Sequence, residues 1–182
     1  MRNLILALSL VAAPAFATEL EIEIAGEGAN GTVTVDLFDD VAPGHVDRIT
    51  TLAKEGAYDG VYFHRVIDGF MAQTGDVEFA KEGQDLRMAG RGGSQYPDLA
   101  AEFSDESFER GVIGMARSQN PNSANSQFFI MFEPAPHLNG QYTVIGKVTD
   151  GMDVIDAIKR GTGGNGAVVG EPDRMVAVKV ID

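Results

Sequence analysis

Alternating apolar and polar positions begin at residue 19 and predict β-strands. Residues 19–24 alternate strictly, and so do residues 32–37; this period of two is typical of half-buried strands. Asn30-Gly31 lies between the two runs, and Asn-Gly favours the positive φ angles of a type I′ hairpin turn. We therefore expect the folded domain to begin with a β-hairpin.

The rest of the chain predicts further short strands and two helices. Apolar residues recur at helical spacing in residues 43–55 and 150–161, with Pro43 in the first turn of one helix and Asp150 as the N-cap of the other. Apolar runs predict strands at residues 61–67, 70–74, 111–116, 127–132, 142–148 and 174–181.

These elements do not alternate as strand and helix, so a parallel sheet is not indicated. Closing an antiparallel sheet on itself removes the exposed edges that a set of short strands otherwise leaves. We expect an all-β domain over residues 18–182, a closed eight-stranded antiparallel barrel capped by two α-helices.

Residues 1–17 have the pattern of a cleavable signal peptide. Arg2 precedes an apolar run over residues 4–13, and Ala15-Phe16-Ala17 has the small-x-small form of a cleavage site. The run is shorter than the roughly 20 residues of a membrane-spanning helix. A buried core helix is the alternative. We expect export through the Sec pathway, cleavage after Ala17 and a periplasmic location.

The net charge and the lack of cysteine limit which binding partners and which covalent cross-links this protein can have. The chain has 14 Lys+Arg and 27 Asp+Glu, a net charge of −13 that becomes −14 when Arg2 is removed with the signal peptide. Such a field repels nucleic acid and anionic membranes. With no cysteine, no disulfide supports the fold. We expect a monomer that binds neither nucleic acid nor, after cleavage, a membrane.

Residues 161–166 match the dinucleotide-binding pattern G-x-G-x-x-G. A dinucleotide site requires this pattern to follow a strand and open a helix, whereas here it follows a predicted helix, so a flexible loop is the better interpretation. The three histidines lack metal-ligand spacing and have no cysteine beside them. We expect no cofactor and no metal.

Two segments carry unusual polar residues. Arg65 stands in an otherwise apolar strand pair, either as a surface residue paired with Asp68 or Asp76 or as a functional cation. In residues 125–132, a period of two places Gln127 and Phe129 on one strand face and the next residues on the other. Phe129 is then either ordinary core or an aromatic residue displayed beside a glutamine.

These segments resemble the two signature blocks of the cyclophilin family. The first block is Phe63-His64-Arg65, Gly69-Phe70-Met71-Ala72-Gln73 and Gly75-Asp76; the second is Gly114-Met115-Ala116, Ser126-Gln127-Phe128-Phe129-Ile130, Leu138-Asn139-Gly140 and Val144-Ile145-Gly146-Lys147-Val148. The resemblance extends from about Thr32 to the C-terminus. It implies an eight-stranded barrel with two helices and cofactor-free cis-trans isomerisation of X-Pro bonds in flexible polypeptides.

The resemblance also implies the site residues. Arg65 corresponds to the catalytic arginine. The implied substrate-binding residues are four that wall the proline pocket (Phe70, Met71, Phe129, Leu138), two polar residues beside it (Gln73, Gln127), two that pair with the peptide backbone (Ala116, Arg117) and two at the rim (His137, Tyr142).

Three positions depart from the pattern of many members. His137 stands where they have Trp, Tyr142 where they have His, and Arg117 replaces a common Asn. The first two changes predict weak cyclosporin binding. We expect a peptidyl-prolyl isomerase that assists the folding of exported proteins; the alternative is a non-catalytic proline-binding chaperone on the same barrel. The presence of Arg65 and of all four residues that wall the proline pocket favours the enzyme over the non-catalytic chaperone.

Overall fold

The computed structural model describes residues 18–162 and 165–181. The signal peptide predicted over residues 1–17 therefore lies outside the described residues, as do Gly163 and Gly164 of the glycine-rich segment. The strands are β1 (Glu19–Ala25), β2 (Gly31–Leu37), β3 (Val61–Tyr62), β4 (Arg65–Ile67), β5 (Met71–Thr74), β6 (Val112–Met115), β7 (Phe128–Met131), β8 (Val144–Asp150) and β9 (Arg174–Ile181), and the α-helices are α1 (Pro43–Lys54) and α2 (Met152–Ala157).

The nine strands form one curled antiparallel sheet in the order β3-β9-β1-β2-β8-β6-β7-β5-β4. Alternate residues of β1 and β2 face a common core, which the apolar stripe of α1 also enters through Val46, Ile49 and Leu52. Helix α1 packs against β9, and α2 packs against β2. The all-β architecture with two helices is confirmed.

The prediction of a closed eight-stranded barrel is wrong, because the sheet has nine strands and is not closed. Residues 61–67, predicted as one strand, divide at Phe63-His64 into β3 and β4, which lie at opposite ends of the sheet. Within residues 18–162 and 165–181, no strand ladder joins β3 to β4. The reason is that Val66 is already paired: its N–H donates to Gly166 O at 2.8 Å, and its carbonyl accepts from Gly161 N at 2.9 Å.

Two local predictions are also wrong. Positive φ angles occur only at glycines in the described part of the chain, so Asn30 does not enter a type I′ turn; its side chain donates to Gly26 O at 2.9 Å in a longer connection. Asp150 ends β8 and does not cap α2. The N-cap is Gly151, whose φ of 84° suits glycine, and α2 ends at Ala157.

Among the described helices, none combines the length and the apolar character needed to cross a membrane.

Candidate active site

The strand register brings Arg65, Gln73 and Phe129 into one row. Arg65 is the cross-strand partner of Gln73 in the β4–β5 ladder, and Gln73 is the partner of Phe129 in the β5–β7 ladder. Directly opposite residues project to the same face of an antiparallel sheet. A cation, an amide and an aromatic ring from three strands therefore share one surface.

This surface forms the wall of a cavity of about 180 Å³. Nine of the eleven site residues implied by the sequence line it, namely Arg65, Phe70, Met71, Gln73, Ala116, Arg117, Phe129, Leu138 and Tyr142. Gln127 lies beside it, bonded to Gln73. His137 is exposed and stacks on Phe70 with ring centroids 5.9 Å apart, which places it at the rim. The structure thus brings all eleven residues together.

Arg65 is held by two hydrogen bonds to neutral oxygen atoms and by a longer contact of Nη1 with Met71 Sδ at 3.9 Å. Its Nε donates to Asn165 O at 2.8 Å, and its Nη1 donates to Gln73 Oε1 at 3.1 Å. Within the described ranges no carboxylate pairs with it, because Asp68 binds Arg160 and the Asp76 side chain accepts bonds from backbone N–H groups. The interpretation of Arg65 as a surface residue paired with either aspartate is therefore wrong.

The half-buried position of Arg65 affects the pKa of its guanidinium but not its charge at neutral pH. Loss of solvation lowers the pKa of the Arg65 guanidinium, with a smaller opposing effect from Tyr142. Arginine nevertheless stays protonated in proteins, so the group presents a fixed positive charge. Because no carboxylate of residues 18–162 and 165–181 pairs with the guanidinium, this charge acts on whatever enters the cavity.

A chain of amide hydrogen bonds holds Arg65 from behind. Gln73 Nε2 donates to Gln127 Oε1 at 2.9 Å, and Gln127 Nε2 donates to Gly92 O at 2.8 Å. Gln127 is buried, so its amide has few alternative positions. The guanidinium is consequently oriented before any ligand arrives, the condition for electrostatic preorganisation.

The floor of the cavity is aromatic. Phe128 and Ile130 point into the main core, whereas Phe129 belongs to a second apolar cluster with Met71 and Leu138, as the period of two predicted. Phe129 stacks on Phe108 at a centroid distance of 5.7 Å and meets the edge of Tyr142 at 5.8 Å. Phe129 is therefore buried, but in the cluster that borders the cavity.

The backbone after β6 can accept a peptide partner. Ala116 N donates to Gln127 O at 2.9 Å, which ties this segment to β7. Within residues 18–162 and 165–181, Ala116 O and Arg117 N have no hydrogen-bond partner. The Arg117 guanidinium lies 4.3 Å from the centre of the Tyr142 ring, so its side chain is held against the rim while its amide stays available.

Sequence reasoning missed three supporting groups: Asn165 O, Gly92 O and the Phe108 ring. Asn165 lies in the glycine-rich segment that was interpreted as a loop, and Gly92 lies in a long polar connection. Both contribute backbone carbonyls, which leave no signal in a sequence. Phe108 is fully buried, but its neighbours form no periodic pattern that could have indicated this.

His64 precedes Arg65 and is almost fully buried. Neither ring nitrogen has a hydrogen-bond partner in the described part of the structure. Burial has the largest effect and lowers the pKa of His64; the charge of Asp76 and the backbone of Tyr62 oppose it, and the charge of Arg65 adds a smaller lowering. The imidazole is therefore neutral near pH 7 and adds no second positive charge behind Arg65.

Comparison with known proteins identifies the family of this chain. Residues 20–180 match the family model of cyclophilin-type peptidyl-prolyl cis-trans isomerases. A probable peptidyl-prolyl cis-trans isomerase of Brucella suis is 58% identical over 153 residues, covering 83% of this chain and 78% of the relative. Peptidyl-prolyl cis-trans isomerase B of Bacillus subtilis is 39% identical over 130 residues, covering 71% of this chain and 84% of the relative.

Solved structures share the fold. A cyclophilin-type isomerase of Cryptosporidium parvum superposes with a TM-score of 0.77 at 24% identity, over 92% of this chain and 99% of its own. The same protein crystallised in the presence of the dipeptide Ala-Pro gives a TM-score of 0.75 at 24% identity, over 90% and 99% of the two chains. Taken with the family model and the curated relatives, the chain belongs to the cyclophilin-type peptidyl-prolyl cis-trans isomerases and is an enzyme of that class.

Proposed function

We propose that this enzyme accelerates rotation about X-Pro bonds of exported proteins, with Arg65 as the catalytic residue and the cavity of Phe70, Met71, Phe129 and Leu138 as the seat of the proline ring. The proposal is carried by one observation: a positively charged group, fixed by Gln73 and Asn165 O, borders a cavity with an apolar wall. A proline ring fills such a cavity without needing a polar partner.

The chemistry requires no nucleophile and no metal. Rotation must break the resonance of the amide, whose barrier is about 18–20 kcal/mol. In the twisted state the proline nitrogen regains its lone pair, and the carbonyl is no longer conjugated with it. A fixed cation that interacts better with this charge distribution than with the planar amide lowers the barrier selectively.

The rate acceleration of a prolyl isomerase is within reach of one fixed cation combined with a cavity that holds the proline ring. A 10⁴-fold acceleration needs about 5.5 kcal/mol, since each 1.36 kcal/mol is tenfold. An oriented charge-assisted contact supplies about 3–4 kcal/mol, and immobilisation of the ring in the apolar cavity supplies the rest by restricting motion to the residue before the proline.

The backbone beside the cavity gives the substrate a binding direction. Ala116 O and Arg117 N would pair with an extended peptide as a short strand addition. Gln73 and Gln127 would contact the peptide near the rotating bond. His137 and Tyr142 would form the rim, where a larger ligand makes its outer contacts.

The periplasm is the proposed place of action and exported polypeptides are the proposed substrates. Support comes from the signal-peptide pattern predicted over residues 1–17 and from the acidic composition, which suits a soluble monomer. An isomerase there would act on X-Pro bonds while newly exported chains fold, when uncatalysed exchange takes tens to hundreds of seconds.

The test is cis-trans exchange in a short X-Pro peptide, measured by two-dimensional exchange NMR with and without catalytic amounts of protein. Acceleration by wild type and its loss in Arg65→Ala are the expected results. Binding of the peptide without acceleration would instead identify a proline-binding chaperone, and would overturn the assignment of Arg65.

A further inference from the structure

A second cavity of about 250 Å³ adjoins the proposed proline cavity. The two cavities share Gln73, Ala116 and Arg117, so they form one continuous groove. The walls of the second cavity add Arg91 and the polar residues Ser118, Ser123 and Asn125. An extended peptide advances about 3.3–3.6 Å per residue, so a side chain within three residues of the proline reaches this second cavity.

The charged side chains that line this groove have the opposite sign to the net charge of the protein. The chain has 27 Asp+Glu and a net charge of −13, yet among the described residues no carboxylate lines either cavity. Three arginines do: Arg65, Arg91 and Arg117. Asp76 and Asp98 lie behind the wall, where they accept hydrogen bonds from Gly92 N and from the Asn125 amide.

These three arginines are also unpaired. Within residues 18–162 and 165–181, none of them lies within 4.0 Å of a carboxylate. The arginine and lysine salt bridges of the described residues all use other cations. These are Arg87, Arg110, Lys159, Arg160, Arg174 and Lys179.

Arg117 and Arg91 differ in how they are held. Arg117 donates to Ser118 O at 2.9 Å and to Gln141 O at 2.8 Å, with its charge over Tyr142, so its position is fixed. Arg91 is exposed at the mouth of the second cavity and makes no side-chain hydrogen bond within the described ranges. Arg117 therefore supplies a fixed positive field, and Arg91 a donor that is free to bind an anion.

We propose that the groove selects X-Pro segments carrying an Asp or Glu side chain within three residues of the proline, and that Arg91 and Arg117 determine this preference. The inference rests on the proposed function, since it requires the proline to occupy the first cavity. The acidic remainder of the surface repels such segments, so the preference arises only within reach of the groove and weakens with added salt.

The experiment compares matched peptides that contain one X-Pro bond. Glu or Gln is placed in turn at each of the three positions before the proline and the three positions after it. Exchange NMR gives kcat/KM for each peptide without a coupling protease, whose own preference would interfere, and NMR titration of the same peptides gives Kd.

At one or more of these positions, we expect the Glu peptide to exceed its Gln counterpart by about threefold to tenfold in both quantities, the range for partly exposed charge pairs. About 0.5 M salt should reduce this ratio towards 1. Arg91→Gln and Arg117→Gln should each lower the ratio, and Arg91→Glu should invert it. Arg87→Gln is the matched control, because Arg87 lies on the same connection but pairs with Asp85; it should keep the wild-type ratio.

Equal affinities for Glu and Gln peptides at every position would overturn the inference, as would a ratio unchanged in Arg91→Glu. Failure of the proposed function has a different signature: peptides bind, with or without the Glu preference, but none of them exchanges faster.

Discussion

Gly114 lies directly beneath Phe129, its cross-strand partner: a Cβ at Gly114 would approach Phe129 Cζ and Phe108 Cε1 to 2.6 Å each. Both rings are buried and stacked, so neither can move without disturbing the floor of the proline cavity. We expect Gly114→Ala to lower the unfolding free energy by about 1–3 kcal/mol, as overpacking of a core does, and to lower kcat/KM about tenfold. Thermal melts and exchange NMR measure the two effects.

A compensating substitution provides the control. Phe108→Leu removes part of the ring that Gly114→Ala would strike, so the double variant should recover stability and activity relative to the sum of the single changes. Wild-type melting and wild-type kcat/KM in Gly114→Ala would show that the floor tolerates displacement, contrary to this prediction.

Removing the Arg65 side chain should reduce catalysis far more than stability. Arg65→Ala is expected to lower kcat/KM by about 10²–10³, the usual effect of deleting one preorganised donor. Arg65→Lys should recover little, because an ammonium cannot reproduce the fork that meets Gln73 and Asn165 O together. Activity is measured alongside a thermal melt for each variant.

Arg160→Ala is the matched control for Arg65. Arg160 is another partly exposed arginine, but it pairs with Asp68 and lies over Phe132, away from the residues that line the cavity. It should keep its activity. Most of the activity surviving in Arg65→Ala would contradict the electrostatic mechanism, and unfolding of that variant would show that Arg65 is structural.

The rim should govern cyclosporin binding. His137 is exposed and stacks on Phe70, so an indole at this position would extend the apolar wall and add a donor. We expect weak inhibition of the wild type and an inhibition constant at least about tenfold lower in His137→Trp. His137→Gln serves as the control for loss of the imidazole alone. Strong inhibition of the unmodified protein would refute this account of the rim.

Acid should weaken the attachment of α1. Glu102 accepts hydrogen bonds from the Gly44 and His45 amides and from the buried His45 ring. Burial raises the pKa of Glu102, but these bonds outweigh it, and the folded-state pKa is below the ordinary value of 4.5. The resulting stabilisation is complete above the unfolded pKa and is lost as the pH falls through the folded pKa.

Thermal melts of Glu102→Gln between about pH 7 and pH 3 test this linkage. The variant should melt below wild type at pH 7, and the difference should shrink below about pH 4.5 as the wild-type carboxylate becomes protonated. Glu109→Gln, at an exposed carboxylate, should show no such convergence. A constant difference at all pH values would mean that the charge of Glu102 does not stabilise the fold.

Export should leave Thr18 as the first residue. Thr18 N lies 3.3 Å from Asp39 Oδ2, so cleavage after Ala17 would place a positively charged amino group beside a carboxylate. N-terminal sequencing of periplasmic protein from a Gram-negative host should begin at Thr18. Asp39→Asn should lower the melting temperature of the cleaved protein more than that of a form extended at its N-terminus, in which the Thr18 amide and hydroxyl are neutral donors to Asp39. Soluble cytoplasmic protein retaining Met1 would count against export.

Local periodicity was sufficient for the elements that depend on it. The strand predicted over residues 174–181 coincides with β9, and the predicted helix at residues 43–55 differs from α1 by one residue. In both, the local spacing of apolar residues indicates the element without reference to the rest of the chain, although a β-bulge interrupts the alternation of burial along β9. The division of residues 61–67 was not predictable in this way, because it depends on pairing of Val66 with Gly161 and Gly166, about a hundred residues later in the chain.

In the candidate site, too, some features were predictable from local sequence and others depend on distant contacts. Arg65 could be singled out because a charged residue in an apolar strand is visible in the sequence, and Phe129 because a period of two places it on the same strand face as Gln127. The family resemblance supplied the neighbouring site residues. Gln73 and Gln127, which help to orient Arg65, were among those neighbours, but the two backbone carbonyls could not be found: Asn165 O is separated from Arg65 by 100 residues, and Gly92 O is a backbone atom. Side-chain identity carries no information about which carbonyls a fold brings together.

The position of β9 between β3 and β1 has a consequence for the order of folding. β9 pairs with both strands, so each of them keeps an unpaired edge until residues 174–181 are in place. These pairings join segments that are far apart in the sequence, and such contacts form slowly because loop-closure entropy is lost before they stabilise the fold. Arg65 lies three residues after Tyr62, the last residue of β3, so we expect the surroundings of Arg65 to become ordered late in folding.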